Sequence, residues 1–326
     1  MNTPNESRST VRRRRHWGSV PPALAAIALS VALAAWVLAA GSSEPSETSA
    51  APAKAASQPA ASSLPLAGNA RALMLAKRSR DFLVGLAATP GGPVDLLAFP
   101  GFASVPADGL TAKANGRPVA VSSCGERCFR VSAAPMTGIP ILLSLRFRRT
   151  RAPSITLRFR LPARLPPDGT ALLTKADRRM GALRSVQLDE WLTSGFSGVR
   201  TRYAMQAPDR MRFRTSQGQA TIIIGRRRWD REGTRWVKSR FPVPGVRAPS
   251  YVWAGARNAR LLGTTRLAGV PVRVLATFSD ASIPAWFRIF VAADKRVVEA
   301  EMLTESHFMY HRFSGLNKPI RIEPPA

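Results

Sequence analysis

The feature that most constrains the fold is an alternation of arginine with apolar residues that recurs along the chain. Leu145-Arg146-Phe147-Arg148, Leu157-Arg158-Phe159-Arg160-Leu161 and Met211-Arg212-Phe213-Arg214 are its clearest instances. A period of two is that of a β-strand, whose side chains point alternately to opposite faces. Such strands turn Leu, Met and Phe to a core and Arg to water, so they belong in antiparallel sheets with one covered face and one basic face. The 326-residue chain is therefore predicted to be mainly β.

The first 69 residues do not share this pattern. Val20–Ala40 is uncharged, and as a helix it would be roughly 30 Å long, enough to cross a bilayer. Arg12-Arg13-Arg14-Arg15 stands just ahead of it. The positive-inside rule then keeps residues 1–19 in the cytoplasm as a basic tail and puts everything after Gly41 outside. Ala39-Ala40-Gly41 also offers the small residues of a signal-peptidase site. The segment thus reads as a single-pass plasma-membrane anchor or as a cleaved signal peptide; its length, beyond the ~7–15 residues of a signal core, favours the anchor. Both readings make the folded part extracytoplasmic. Residues 41–69 are Ser, Ala and Pro-rich and form a tether whose mean reach is about 30 Å.

From 70 to 166 the chain reads as short strands separated by Pro, Gly and Asn-Gly, an Ig-like antiparallel β-sandwich. The strands are expected at 81–87, 94–99, 111–114, 118–122, 128–133, 139–147 and 154–161. Residues 167–326 form a second domain. Asp168 caps one long helix of about 25 residues, with Leu172, Ala176, Met180, Leu183, Gln187 and Trp191 along one stripe. The strands after it alternate, and a curved antiparallel sheet wrapped over the helix is the architecture that buries both. Tyr203, Met205, Met211, Phe213, Ile222, Ile224, Val272, Val274, Phe287 and Ile289 are assigned to its apolar face. They are the candidate lining of a ligand cavity, if the sheet does not close fully on its own side chains. Trp229, Trp236, Tyr251, Trp253 and Trp286 serve either as core plugs or as an aromatic rim at the cavity mouth.

The chemistry-bearing residues are few. Cys124 and Cys128 flank a three-residue loop, and in an oxidising compartment they are expected to be bonded. Two cysteines and three histidines cannot build a zinc finger or a His-rich cage, and no phosphate loop, nucleophile elbow or HExxH helix is present. The chain is read as a non-enzyme. His307, Met309 and His311 resemble sparse copper-binding sets. On a strand, however, the two histidines would stand about 13 Å apart, too far to share an ion. The formal charge of +28 invites nucleic acid, but the topology places the arginines outside the cytoplasm. That leaves anionic lipid headgroups or cell-wall polymers as the counterpart, with no nucleic-acid partner.

Tyr203-Ala-Met-Gln-Ala-Pro-Asp-Arg-Met-Arg-Phe213, Ile222-Ile-Ile-Gly-Arg-Arg-Arg-Trp229, Gly269-Val-Pro-Val-Arg-Val-Leu275 and Pro319-Ile-Arg-Ile-Glu-Pro-Pro325 resemble the LolA/LppX superfamily of extracytoplasmic lipid carriers. That resemblance implies an incomplete β-barrel closed by helices around a hydrophobic cavity, and a lipid or other hydrophobic small molecule as partner. The mycobacterial members' lipid anchor is absent, which favours a tethered role over a free shuttle. The first domain, with Asp81-Phe-Leu-Val-Gly-Leu86 and Ser123-Cys-Gly-Glu-Arg-Cys-Phe-Arg130, is similar to sandwich domains that follow CopD-type copper-transport regions in actinobacteria. The expectation is a membrane-anchored envelope protein that carries or senses a lipid without a cofactor. The alternatives are a copper-handling accessory protein and a structural envelope domain without ligand.

Overall fold

The computed structural model describes residues 69, 71–80, 82–99, 107–125, 127–149, 153–240, 248–280, 283–305 and 307–325. The expected cytoplasmic tail, membrane segment and nearly all of the tether lie outside them. Among the described residues no helix is long and apolar enough to cross a membrane. The described part belongs to one compact unit, Thr48–Ala326.

Among the described residues this unit holds three antiparallel sheets and one helix. β1 (Leu73–Ser79), β2 (Phe82–Ala88), β3 (Val94–Phe99), β6 (Val121–Gly125) and β7 (Cys128–Val131) form a sheet in the order β1-β2-β3-β7-β6. β4 (Ala107–Ala114), β5 (Arg117–Val119), β8 (Ile141–Arg149) and β9 (Ile155–Leu161) form a second, ordered β5-β4-β8-β9. The two stack as the expected sandwich around Leu73, Phe82, Leu86, Leu96, Phe147 and Phe159, all at most 1% exposed. The alternation acts as read: in β9, Leu157, Phe159 and Leu161 are buried while Arg158 and Arg160 are exposed. β1 was not expected from the sequence. It pairs with β2 over its full length, Leu73 opposite Ala88 through Ser79 opposite Phe82.

The helix is shorter than the sequence suggested. α1 runs Thr170–Gly181, and the chain then enters β10, Ser185–Thr193. Gln187 and Trp191, counted on the helical stripe, are strand residues instead. Beyond Leu183 the segment Val186-Gln-Leu-Asp-Glu-Trp-Leu192 alternates with period two, and the buried residues are Val186, Leu188, Glu190 and Leu192. Asp168 does serve the helix start: its Oδ1 accepts hydrogen bonds from the Thr170 amide (2.9 Å) and hydroxyl (2.6 Å). Those bonds, the hydroxyl's first, hold its carboxyl below the usual range.

The third sheet has eleven strands. β11 (Gly198–Gln206), β12 (Arg210–Thr215), β13 (Ala220–Ile224), β14 (Arg227–Glu232) and β15 (Arg235–Arg240) step outward from one side of β10. β16 (Arg257–Leu267) begins at the opposite edge. β17 (Val270–Ser279), β18 (Ala285–Ala292), β19 (Val297–Thr304) and β20 (His307–Ser314) return inward until β20 closes on the other side of β10. The sheet is open, with β15 and β16 as its edges. The central strand β10 thus belongs to two five-strand arms.

The register assigns two faces. Leu188, Tyr203 and Phe213 stand opposite one another across β10, β11 and β12, and Leu188 also faces Phe313 on β20. This is the face on which α1 buries Leu173, Ala176 and Met180. A loop covers it as well: Trp253, fully buried, stacks on Tyr251 at 4.9 Å and meets Phe313 edge-on at 5.6 Å. Trp253 Nε1 donates to Asp177 Oδ1 on α1 (2.6 Å), and Tyr251 donates to the Met180 carbonyl (3.0 Å). Tyr251 and Trp253 are therefore plugs that tie the loop to the helix.

The opposite face carries the sandwich. Phe278, Trp286 and Phe308 project from β17, β18 and β20 against Met74, Leu83, Leu97 and Phe99 in a continuous cluster. β2 and β3 are buried along both faces because they lie between the sandwich core and this contact. Gly85 on β2 makes room for this contact: a Cβ there would lie 1.9 Å from the Trp286 ring.

Candidate binding site

The ten cavity candidates do not share a face. Tyr203, Met205, Met211, Phe213, Phe287 and Ile289 lie on the helix face. Ile222 and Ile224 do not: Ile223 pairs with Met211 and Thr221 with Phe213, which turns their neighbours outward beside Arg212 and Arg210. Val272 and Val274 also face outward, paired with Ala292 and Phe290, while Leu275 pairs with Ile289 on the helix side. β17 has buried apolar residues on both faces, Leu275 on one and Val272, Val274 and Phe278 on the other, so alternation alone did not tell them apart.

The helix face is mostly filled by its own residues. Met205, Met211, Ile223, Leu275 and Ile289 are at most 2% exposed. At its centre stands one polar group. Glu190, 8% exposed, accepts a hydrogen bond from the Tyr203 hydroxyl at Oε1 (3.0 Å), and its Oε2 lies 2.8 Å from His311 Nε2. Burial and then the neighbouring Glu190 carboxylate push the Tyr203 phenol well above its ordinary value. A buried polar cluster of this kind is costly unless every member is paired, and here each member has a partner.

This arrangement also places the copper candidates. His307, Met309 and His311 are on β20, an extended strand. His311 points at Glu190, and His307 Nδ1 lies 3.3 Å from the Glu305 carbonyl. The three do not converge. Cys124 and Cys128 form the expected disulfide. Among the described residues no group of three or more His, Cys, Asp or Glu could hold a metal ion.

The open space lies on the outer face. A groove of about 730 Å³ runs where β1 of the sandwich passes over β10, β11, β19 and β20. Ala76, Leu303 and the aromatic side chains of Trp191, Phe308 and Tyr310 give it an apolar wall. Trp191 is 47% exposed, an unusual state for an indole. Arginines ring it. Arg200 lies over the Trp191 ring (5.5 Å) and Arg78 over Phe308 (4.8 Å). Arg202 donates to Asp189 (3.2 Å), Arg288 to Glu301 (3.3 Å) and Arg312 to Glu299 (2.8 Å). Hydrogen bonds to Glu299, before burial enters, keep the Arg312 guanidinium firmly charged. Burial chiefly raises the Tyr310 phenol, to about 12, so it stays a neutral hydroxyl. The groove combines an apolar wall with fixed positive charge, the pattern that recognises an amphiphile with an anionic head.

Local sequence pattern does not reveal this groove, for two reasons. The helical spacing expected through Trp191 gives way to a strand, and β1, which supplies Ala76, Lys77 and Arg78, lies ahead of the first expected strand. The signals of both strands are present: period-two alternation in 185–193, and the run Leu73-Met74-Leu75 ahead of Phe82-Leu83-Val84.

No family model matches the chain, and no curated protein does. Solved structures similar to it include the Mycobacterium tuberculosis lipoprotein LppX, at 14% identity over 47% of this chain and 97% of that one with a TM-score of 0.38. LprF from Mycobacterium bovis is 14% identical over 49% of this chain and 99% of its own, with a TM-score of 0.37. A LolA-superfamily protein from Nitrosomonas europaea, NE2245, is 14% identical over 48% and 96%, with a TM-score of 0.25.

Proposed function

We propose that the protein is an extracytoplasmic binding protein that holds an amphiphilic lipid non-covalently, as a carrier or sensor at the cell envelope. The observation that carries this reading is the groove: about 730 Å³ of space, within the ~300–1,000 Å³ that small-molecule sites occupy. Its half-exposed Trp191 and the Phe308–Tyr310 wall would take the apolar part. Arg78 and Arg200, each stacked on an aromatic ring, would meet the head group. No bond is made or broken in this role. The disulfide supports an oxidising compartment, and the apolar segment at 20–40 supports a single-pass anchor with the domains outside.

Native mass spectrometry of residues 48–326 exported into a bacterial periplasm tests the reading. The expected spectrum shows adducts that leave on denaturation and are identified as lipids. Trp191→Ala should lower occupancy about tenfold, since loss of one aromatic contact costs about 1.4 kcal/mol. A mass that stays bare with added phospholipid, or an occupancy indifferent to Trp191, would sink it.

A further inference from the structure

The groove occupies only part of the sheet's outer face. Beyond it, the C-terminal segment meets one end of this face, where Arg210 donates to the Ile322 carbonyl (2.8 Å), and the rest of the face on β11–β15 presents exposed charges of one sign. Arg200 and Arg202 project from β11, Arg212 and Arg214 from β12, Arg227 and Arg231 from β14, and all are exposed. β15 adds Lys238 and Arg240, paired with Trp229 and Arg227. The acidic residues of these strands, Asp230 and Glu232, alternate to the other side. Arg227 stands directly opposite Arg240, and Arg214 opposite Arg202, whose guanidinium also donates to Asp189 of β10 (3.2 Å). Directly opposed like charges destabilise a sheet, and an anionic surface laid over them would neutralise both. Between the arginines runs an apolar strip, Ile222, Ile224 and Trp236. A shallow groove of about 440 Å³ opens along it.

We propose that the outer face of β11–β15 is a docking surface for an anionic bilayer. Five strands at ~4.8 Å spacing span about 20 Å, too wide for one phosphate and suited to an array of headgroups. Half-buried Ile and Trp among arginines match the interfacial zone, where indoles sit at headgroup depth. Each basic residue near an anionic surface strengthens binding about fivefold, and this face offers eight exposed ones. The sandwich offers a smaller set on β8 and β9, Arg146, Arg148, Arg158 and Arg160. The inference goes beyond lipid binding in the groove and does not depend on it.

The test is hydroxyl-radical footprinting of the full chain in vesicles of phosphatidylcholine alone or with one-quarter phosphatidylglycerol, read at Trp236 by mass spectrometry. Protection of at least threefold is expected in the anionic vesicles only, and is expected to vanish at about 0.5 M salt, where the screening length falls below ~5 Å. Combined Arg212→Ser, Arg214→Ser, Arg227→Ser and Arg231→Ser should abolish it. The four Lys counterparts should keep it, which separates lost charge from lost fold. Combined Arg146→Ser, Arg148→Ser, Arg158→Ser and Arg160→Ser should leave it intact. Equal protection in neutral vesicles, no protection in either, or loss only in the sandwich variant would overturn the proposal. So would protection by soluble polyphosphate without protection by vesicles.

Discussion

The two arms of the eleven-stranded sheet share a backbone plan and differ on one face. On the arm of β16–β20 the outer residues include Phe278, Trp286 and Phe308, each at most 3% exposed beneath the sandwich. On the arm of β11–β15 the outer residues are arginine, lysine and a narrow apolar strip in which Ile222, Ile224 and Trp236 are half-buried and Trp229 is buried. Next to β10 the helix faces of the two arms are alike: apolar, buried, and joined at the centre by Glu190, Tyr203 and His311. What a strand reads as in sequence is therefore decided by what covers its second face. A strand covered once alternates, and a strand covered twice becomes a continuous apolar run.

Matched tryptophans on the two arms give the largest contrast. Trp286, 3% exposed, fills the junction with the sandwich and lies on Gly85. Trp286→Ala should cost about 3–5 kcal/mol in chemical denaturation, the range for deleting a buried large aromatic. Gly85→Ala drives a methyl into that ring and should cost about 1–3 kcal/mol by overpacking. Trp236→Ala on the other arm should cost about 1 kcal/mol or less. Equal losses at the two tryptophans would show that the outer faces of the arms are not differently covered.

The same distinction sets how much was legible beforehand. The sandwich could be read because Arg146, Arg148, Arg158 and Arg160 mark its solvent side residue by residue. The strands of β11 and β12 could be read for the same reason, and Tyr203, Met205, Met211 and Phe213 were placed on the correct face. Val272 and Val274 were misplaced because the far side of β17 is buried too, Phe278 against the sandwich and Val272 and Val274 in a cluster with Phe290, Leu267 and Val298, and no local pattern records which side faces the helix. Ile222 and Ile224 were misplaced because Ile222-Ile-Ile224 has no polar residue to show its phase. The helix was overextended because Leu183, Gln187 and Trp191 fit a spacing of four by coincidence with the strand that follows. The groove depends on residues from 76 to 312, so its existence belongs to tertiary packing, which the sequence alone does not display.

Neighbouring acids on β10 sharpen the comparison across the sheet rather than along it. Glu190 points to the helix face and Asp189 to the outer face. Glu190→Ala would leave the Tyr203 hydroxyl and His311 Nε2 buried without their partner, at about 2–4 kcal/mol in total. Asp189→Ala removes an ion pair with Arg202 whose side chains are 47% and 78% exposed, and should change stability by about 0–1 kcal/mol. Urea titrations of the two variants measure the difference. A Glu190 variant as stable as the Asp189 variant would mean that the buried cluster is wetted and contributes nothing.

The disulfide is a smaller, local effect. Cys124–Cys128 closes a five-residue segment at the tip of the β6–β7 hairpin, and a loop that short stabilises by about 2 kcal/mol in the chain-entropy model. Cys124→Ser with Cys128→Ser should lower the unfolding free energy by that amount while the far arm keeps its hydrogen-exchange protection. Collapse of protection across β11–β15 would instead make the hairpin essential to the whole unit.

The smallest effect concerns the lock between α1 and the loop on the helix face. Burial raises the Asp177 carboxyl above its ordinary value, and the hydrogen bond from Trp253 Nε1 opposes this only in part. A carboxyl whose value is raised on folding favours the native state most below its unfolded value near 4, and that contribution is lost as the pH rises through the folded value. At pH 7 the wild type therefore holds a partly desolvated carboxylate that Asp177→Asn would not. The amide keeps an oxygen to accept from Trp253, so the variant should melt about 1–2 °C higher at pH 7 and show no gain at about pH 3.5. A variant that melts lower at pH 7 would reverse the assignment. The charge-assisted bond to Trp253 would then outweigh burial, and the helix face would depend on an ionised residue as the outer face does.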